Sequence, residues 1–218
     1  MSPSKFQAGV AALTMVLLAG CATPTPKDYT AFKAADPKTI LVLPPKNSSP
    51  EVSATYGVYA QIQRPIAESG FYVLPVTLVD EHFKSNGLAV SDETHLVDGD
   101  KLREVFGADA ALYVDIKDYG TKYMVVNSAS VVTAEGRLVD LRSGQTLWEG
   151  RATASSAEQR QNNNMGLAGL LVSALINQVL ATATDESYRI AATTNHRLLS
   201  AKSPGGLLPG PRHPDYRK

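Results

Sequence analysis

The residues able to do chemistry in this chain are one thiol, four imidazoles, a few adjacent carboxylates and a polar loop ahead of a helix. Cys21 is the only cysteine in 218 residues, so an oxidising compartment offers the fold no disulfide and the chain no catalytic thiol. His82, His95, His196 and His213 share no ligand spacing, so no metal site and no cofactor are expected. Asp80 with Glu81 and Asp92 with Glu93 come nearest to the paired acids, about 5–10 Å apart, that glycan hydrolysis uses. Adjacent helix positions point apart and loop acids are solvated, so no catalytic residue is assigned. Lys46-Asn47-Ser48-Ser49 sits between a strand and a helix start, where free amides attract an anion; capping accounts for the same residues. Tyr56, Tyr59 and Tyr72 have the types to line a groove and Trp148 to anchor a partner, against the core packing in which aromatics are ordinarily found.

These groups are carried by a chain whose pattern changes along its length. Phe6 to Leu18 is an apolar run headed by Lys5 and closed by Ala19-Gly20. That order of cation, apolar centre of about 7–15 residues and small residues is a secretory leader. A transmembrane helix would need about 20 residues, more than the run supplies. Ala22 to Pro37 is proline-rich and reads as a tether that could stretch on the order of 50 Å.

Thr39 to Leu43 reads as a buried first strand stopped by Pro44-Pro45. A helix follows, capped by Ser48 or Ser49, with Pro50 in its first turn, Val52, Tyr56, Tyr59 and Ile66 on one face, and Pro65 as a kink. Gly70 ends it, and Phe71 to Val76 is a second strand, so the crossover implies parallel pairing. Thr77 to Ser85 and Asp100 to Phe106 are short helices, capped by Thr77 and stopped by Gly107 respectively, with a polar loop around Ser91 to Thr94 between them. Ala110 to Lys117 alternates as a half-buried strand, with Leu112, Val114 and Ile116 on one face and Tyr113, Asp115 and Lys117 on the other. Tyr123 to Val126, Val131 to Leu141 and Thr146 to Ala154 form an antiparallel meander, with Arg142 to Gln145 as a turn. The fold class is therefore α/β (α+β), a mixed sheet of five to six strands with helices packed on it. It is read as a single domain over residues 38–201.

A long helical pattern runs from Met165 to about Leu199, its small residues Gly166, Ala168, Gly169, Ser173 and Ala174 permitting close approach by another backbone. Polar residues interrupt its uncharged part, so it is read as packed on the sheet. Residues 202–218 read as a disordered basic tail. Cationic and acidic residues balance at 21 each, so no field draws the chain to nucleic acid.

Leu18-Ala19-Gly20-Cys21 resembles the lipobox of bacterial lipoproteins. The resemblance implies cleavage between Gly20 and Cys21, with lipid on the Cys21 sulfur and an acyl chain, such as palmitate, on its new amino terminus. Ala22, in place of the retaining aspartate, favours the outer membrane, the protein facing the periplasm. The starts Ile40 to Pro45, Tyr56-Gly57, Gly70 to Val76 and Phe106 to Ala110 together resemble a family of uncharacterised lipoproteins of Gram-negative bacteria. Gly107-Ala108-Asp109, and Leu138 to Gln145 before Leu147-Trp148-Glu149-Gly150, are similar to the TolB amino-terminal domain and to curli-secretion lipoproteins. The resemblance implies a mixed-sheet domain working beside other envelope lipoproteins or an outer-membrane complex, and it transfers no catalytic residues. Anchor, tether and inert domain together predict a non-enzymatic binding or assembly module. Its contact surface would be a sheet edge, Trp148, or Gly166, Gly169 and Ser173, the last of which would also serve a homo-oligomer. The alternatives are an envelope glycan hydrolase and a small-ligand carrier.

Overall fold

Ile40, Leu41 and Val42 are completely buried, which a strand achieves only with both faces covered. They lie in β1 (Thr39–Val42) of a computed structural model that describes residues 27–123, 128–158 and 183–218. β2 (Lys46–Asn47) and β3 (Tyr72–Val73) are short, whereas β4 (Ala110–Tyr123), β5 (Ser128–Asp140) and β6 (Thr146–Ser155) are long. β1 pairs in parallel with β3 on one side and β4 on the other, and β2 pairs with β4 beyond the Pro44-Pro45 break. β4, β5 and β6 are antiparallel neighbours. One mixed six-stranded sheet results, ordered β3-β1-β4-β5-β6 with β2 off that path, as the parallel start and the meander predict.

The helices given among the described residues are α1 (Thr30–Ala35), α2 (Ala54–Glu68), α3 (Val76–Ser85), α4 (Ser91–Thr94), α5 (Gly99–Phe106) and α6 (Ala183–Leu199). Alternation along β1 sorts them into two layers. Ile40 and Val42 pack in one cluster with Tyr59, Ile62 and Ile66 of α2 and Leu198 of α6. Leu41 packs in another with Val79 and Phe83 of α3 and Leu102 of α5. Val58 and Ile190 join α2 and α6 to Ile116 and Val132 farther along the sheet.

Several local expectations are corrected. α2 starts behind Ser53, later than a Ser48 or Ser49 cap requires. Asn47 holds that stretch in a turn instead: its Oδ1 accepts from Ser49 N–H (2.9 Å) and Oγ (2.7 Å), and its Nδ2 donates to the Glu51 carbonyl (2.8 Å). Such local bonds compete with helix. Val52 is consequently 89% exposed, and the buried stripe is Val58, Tyr59, Ile62 and Ile66. Pro65 lies inside the helix, which continues through it to Glu68. The second strand covers only Tyr72–Val73, because Pro75, not Thr77, occupies the cap position from which α3 begins. Ser91 to Thr94 is a helical turn rather than a loop. Tyr123 ends β4 and opens no new strand.

Two stretches expected to be loose are packed. Within the predicted tether, Phe32 of α1 is buried with its ring centre 6.1 Å from that of Phe71. Within the predicted disordered tail, Leu207 is buried, Gly210 N–H donates to the Ser69 carbonyl (2.7 Å) and Arg212 N–H to that of Gly70 (3.0 Å). Tyr216 and Arg217 both reach the Asp36 carboxylate. A Cβ on Gly210 would lie 2.9 Å from the Gly70 carbonyl carbon. Glycine here serves close contact, which composition alone cannot distinguish from looseness. The leader, Gly20, Cys21, residues 124–127 and residues 159–182, with Gly166, Gly169 and Ser173, lie outside the described residues.

Candidate functional site

Alternation on β4 sends Tyr113, Asp115 and Lys117 to the face opposite Leu112, Val114 and Ile116. Register then decides their neighbours. Tyr113 stands opposite Arg137 and Asp115 opposite Glu135 on β5, and these stand opposite Glu149 and Arg151 on β6. The Arg137 guanidinium lies 4.8 Å from the Tyr113 ring centre. The like charges of Asp115 and Glu135 are relieved from three sides: Lys117 pairs with Asp115 and lies 3.5 Å from Glu135, Arg151 pairs with Glu135 at 2.5 Å, and Ser48 Oγ donates to Asp115 at 2.8 Å. The bond to Asp115 raises the Lys117 pKa.

His95, just after α4, closes one end, edge-on to Tyr113 at 5.3 Å between ring centres. Its Nε2 lies 2.9 Å from the Pro44 carbonyl oxygen, a partner that only an N–H can satisfy, so the neutral ring carries its proton there. Burial lowers the His95 pKa, against the opposing pull of that carbonyl, and burial likewise raises that of Tyr113. His95, Tyr113, Asp115, Glu135, Arg137 and Arg151, together with Lys46, which pairs with Asp92 at 3.0 Å, line an open groove of about 560 Å³. It is a polar surface with an aromatic and cationic centre, suited to binding.

The sign of the His95 shift makes a prediction. A histidine whose folded pKa lies below its ordinary value of about 6.5 favours the fold when neutral. That stability is complete above pH 6.5 and is lost as pH falls from there through the folded pKa. NMR titration is expected to place the His95 midpoint below 6.5, and His95→Gln to flatten the decline in urea midpoint between neutral and acid pH.

A second groove, of about 480 Å³, is lined by Asp100, Arg103, Glu104, Asp109 and Arg142. Asp109 is a structural centre there: its Oδ2 accepts from the amides of Lys38 (3.0 Å) and Thr39 (3.1 Å), and its Oδ1 from Arg142 (2.8 Å).

The other residues singled out from sequence disperse. Tyr59 is buried, donating to the Val42 carbonyl at 2.9 Å, while Tyr56 lies beneath Lys84 and Tyr72 beneath Arg212. They form no common groove. Trp148 is 3% exposed and donates from Nε1 to the Gly205 carbonyl (2.9 Å), so it is core and not a surface anchor. Asp80 pairs with Lys84 at 2.6 Å. His82 packs edge-on to Phe106, His196 is exposed, and His213 Nδ1 accepts from the Asp215 amide. Among the described residues no three His, Cys, Asp or Glu gather to hold a metal ion. Glu135, Arg137 and Arg151 are not among the residues that sequence singles out; alternation gives the face of Tyr113 alone, and cross-strand register is needed to bring the others to it.

Residues 27–212 match the model of a family described as "Putative lipoprotein GNA1162-like". The chain is 46% identical over 185 residues to "Putative lipoprotein NMB1124/NMB1162" of Neisseria meningitidis serogroup B, covering 85% of each. It is similar to the crystal structure of lipoprotein GNA1162 from Neisseria meningitidis, at 44% identity and a TM-score of 0.53, over 66% of this chain and 98% of that one. A PelC dodecamer from Paraburkholderia phytofirmans shares 12% identity at a TM-score of 0.40, over 73% of this chain and 86% of its own. That likeness is of outline and says nothing about assembly.

Proposed function

We propose, for a chain that belongs to the GNA1162-like family of lipoproteins, a lipid anchor on Cys21 at the outer membrane and a role as a non-enzymatic binding or assembly module in the periplasm. The observation that carries the binding role is the open face of β4, β5 and β6. There Tyr113 and Arg137 stand stacked in the middle of side chains locked to one another by ion pairs. A surface already ordered loses little entropy on binding, and an anchor raises the local concentration of anything held at the same membrane. The rival readings have less support. Asp80 and Asp92 are paired with Lys84 and Lys46, Asp115 and Glu135, which do meet in the groove, share Lys117, and both grooves have charged walls where a carrier uses mainly apolar ones.

Crosslinking in intact cells, with a photoreactive residue at Arg137, tests the binding role. The expected result is a reproducible product with another envelope lipoprotein, an outer-membrane complex or a second copy of this chain. With the reactive group moved to Lys46, which lines the same groove, Tyr113→Ala combined with Arg137→Glu should abolish that product. No reproducible product, or one indifferent to both substitutions, overturns the proposal. Mass spectrometry of the native protein tests the anchor: a free thiol at Cys21 or a retained leader would refute it.

A further inference from the structure

Lys27, where the described chain begins, is fixed to the body of the fold. Its Nζ donates to the carbonyls of Glu149 and of Gly205, the latter at 3.0 Å, and lies 5.0 Å from the Trp148 ring centre. Two residues on, the Tyr29 hydroxyl donates to the Gly206 carbonyl at 2.6 Å. Cys21 stands only six residues before Lys27. Six residues span at most about 20 Å at full extension. A folded body of this length has a radius of gyration of about 15 Å and so measures roughly 40 Å across. The anchored corner must therefore stay near the membrane, and the opposite side cannot reach it.

Resting on the Cys21 anchor proposed above, we infer that the corner where the Glu149 end of β6 meets the turn at residues 202–205 faces the bilayer and meets phospholipid headgroups. The Glu149 and Thr153 carbonyls of β6 accept from Lys27 and Arg197, Arg151 lies between them on the strand, and Lys202 is exposed on the turn. Occupied carbonyls and flanking cations blunt this strand against pairing with another chain. With Arg151 and Arg197 paired to Glu135 and Glu158, it is Lys202, exposed on the turn, that suits headgroup phosphates. The far end of the β4–β5 hairpin, where Lys122 pairs with Ala129, lies eight residues along β5 from Arg137, the partner of Glu149. That is about 27 Å along the sheet, and this end is the one left to the periplasm.

Acylated full-length protein, its lipid confirmed by mass, can carry one fluorophore on Pro204→Cys or on Lys122→Cys, because Cys21 is blocked by lipid. Energy transfer to acceptor-labelled lipid in phosphatidylcholine vesicles is expected to be about threefold or more higher from position 204, given the separation along the strands. Adding phosphatidylglycerol should raise it further at 204. Equal transfer from the two positions, or more from 122, overturns the orientation; no response at 204 to phosphatidylglycerol overturns the headgroup contact. Protein that lacks lipid fails the mass measurement before reconstitution, which refutes the anchor itself and is read separately from the orientation.

Discussion

Trp148→Ala is expected to destabilise the protein by about 3–5 kcal/mol, the range for emptying a large buried aromatic site. For a chain of this length that corresponds to a fall in Tm on the order of 10 °C. The loss has two parts. The indole fills space beside Ile40, Leu138 and Leu198 in the principal core, and its Nε1–H is one of the donors holding the Gly205 carbonyl against the body. The ring lies so close to its own strand that a Cβ on Gly150 would come within 2.3 Å of it, and one on Gly136 within 3.1 Å. Gly150→Ala alone should therefore cost about 1–3 kcal/mol by overpacking. Made on a Trp148→Ala background it should cost much less, because the clash is gone, and the non-additivity in a double-mutant cycle is the signature of this contact. Urea denaturation of the four proteins measures it. A Trp148→Ala variant within about 0.5 kcal/mol of the parent, as is usual for a surface residue, would return Trp148 to the role of exposed anchor.

The same tryptophan shows why sequence reading succeeds for elements and fails for their surroundings. Buried strands and amphipathic helices advertise themselves through period: the run at Ile40 to Val42 and the alternation from Leu112 to Ile116 gave the sheet, and Gly107 gave the end of α5. Trp148 has the same local signal whether it lies in the core or at the surface, since what decides is Gly205, far along the chain, arriving to accept its proton. The residues after Leu199 misled for a related reason. Ser-Pro-Gly-Gly and Pro-Gly-Pro have the composition of a loose linker, yet Leu207 is buried and Gly210 is pressed against Gly70. The paired apolar residues Leu207 and Leu208 were the signal available. The open face of β4 to β6 was half legible: polarity at Tyr113, Asp115 and Lys117 was plain, while the partners that make it a surface depend on register across two hairpins.

Asp109→Ala is expected to destabilise by about 2–4 kcal/mol, because the carboxylate is the acceptor for two backbone amides and a guanidinium at once. Its position ties two separated pieces of sequence together. Gly107, at φ +65°, turns the chain out of α5, and two residues later Asp109 faces the start of β1, where Lys38 and Thr39 donate to it. The Asp109 backbone joins in: its N–H donates to the Thr39 carbonyl and its own carbonyl accepts from Leu141. Arg142 then reaches back from the β5–β6 turn, a turn itself held by Asp140, which accepts from Ser143 N–H and Oγ. The Gly-Ala-Asp and Leu-Arg-Ser-Gly-Gln segments are thus parts of one junction that sets β1 between its neighbours, and the groove they line is a by-product of structure. Arg142→Ala should cost under about 1 kcal/mol, since its side chain is 58% exposed and its ion pair is screened. Asp109→Asn should fall nearer to Arg142→Ala, because its amide oxygen can still accept from both backbone N–H groups and only the bond to Arg142 is lost. Hydrogen exchange provides the specific reading: protection at the Lys38 and Thr39 amides should drop in Asp109→Ala and survive in Asp109→Asn and Arg142→Ala. If all three variants matched the parent in urea midpoint and in exchange at those amides, Asp109 would be released from this role and the groove would have to be treated as a site in its own right.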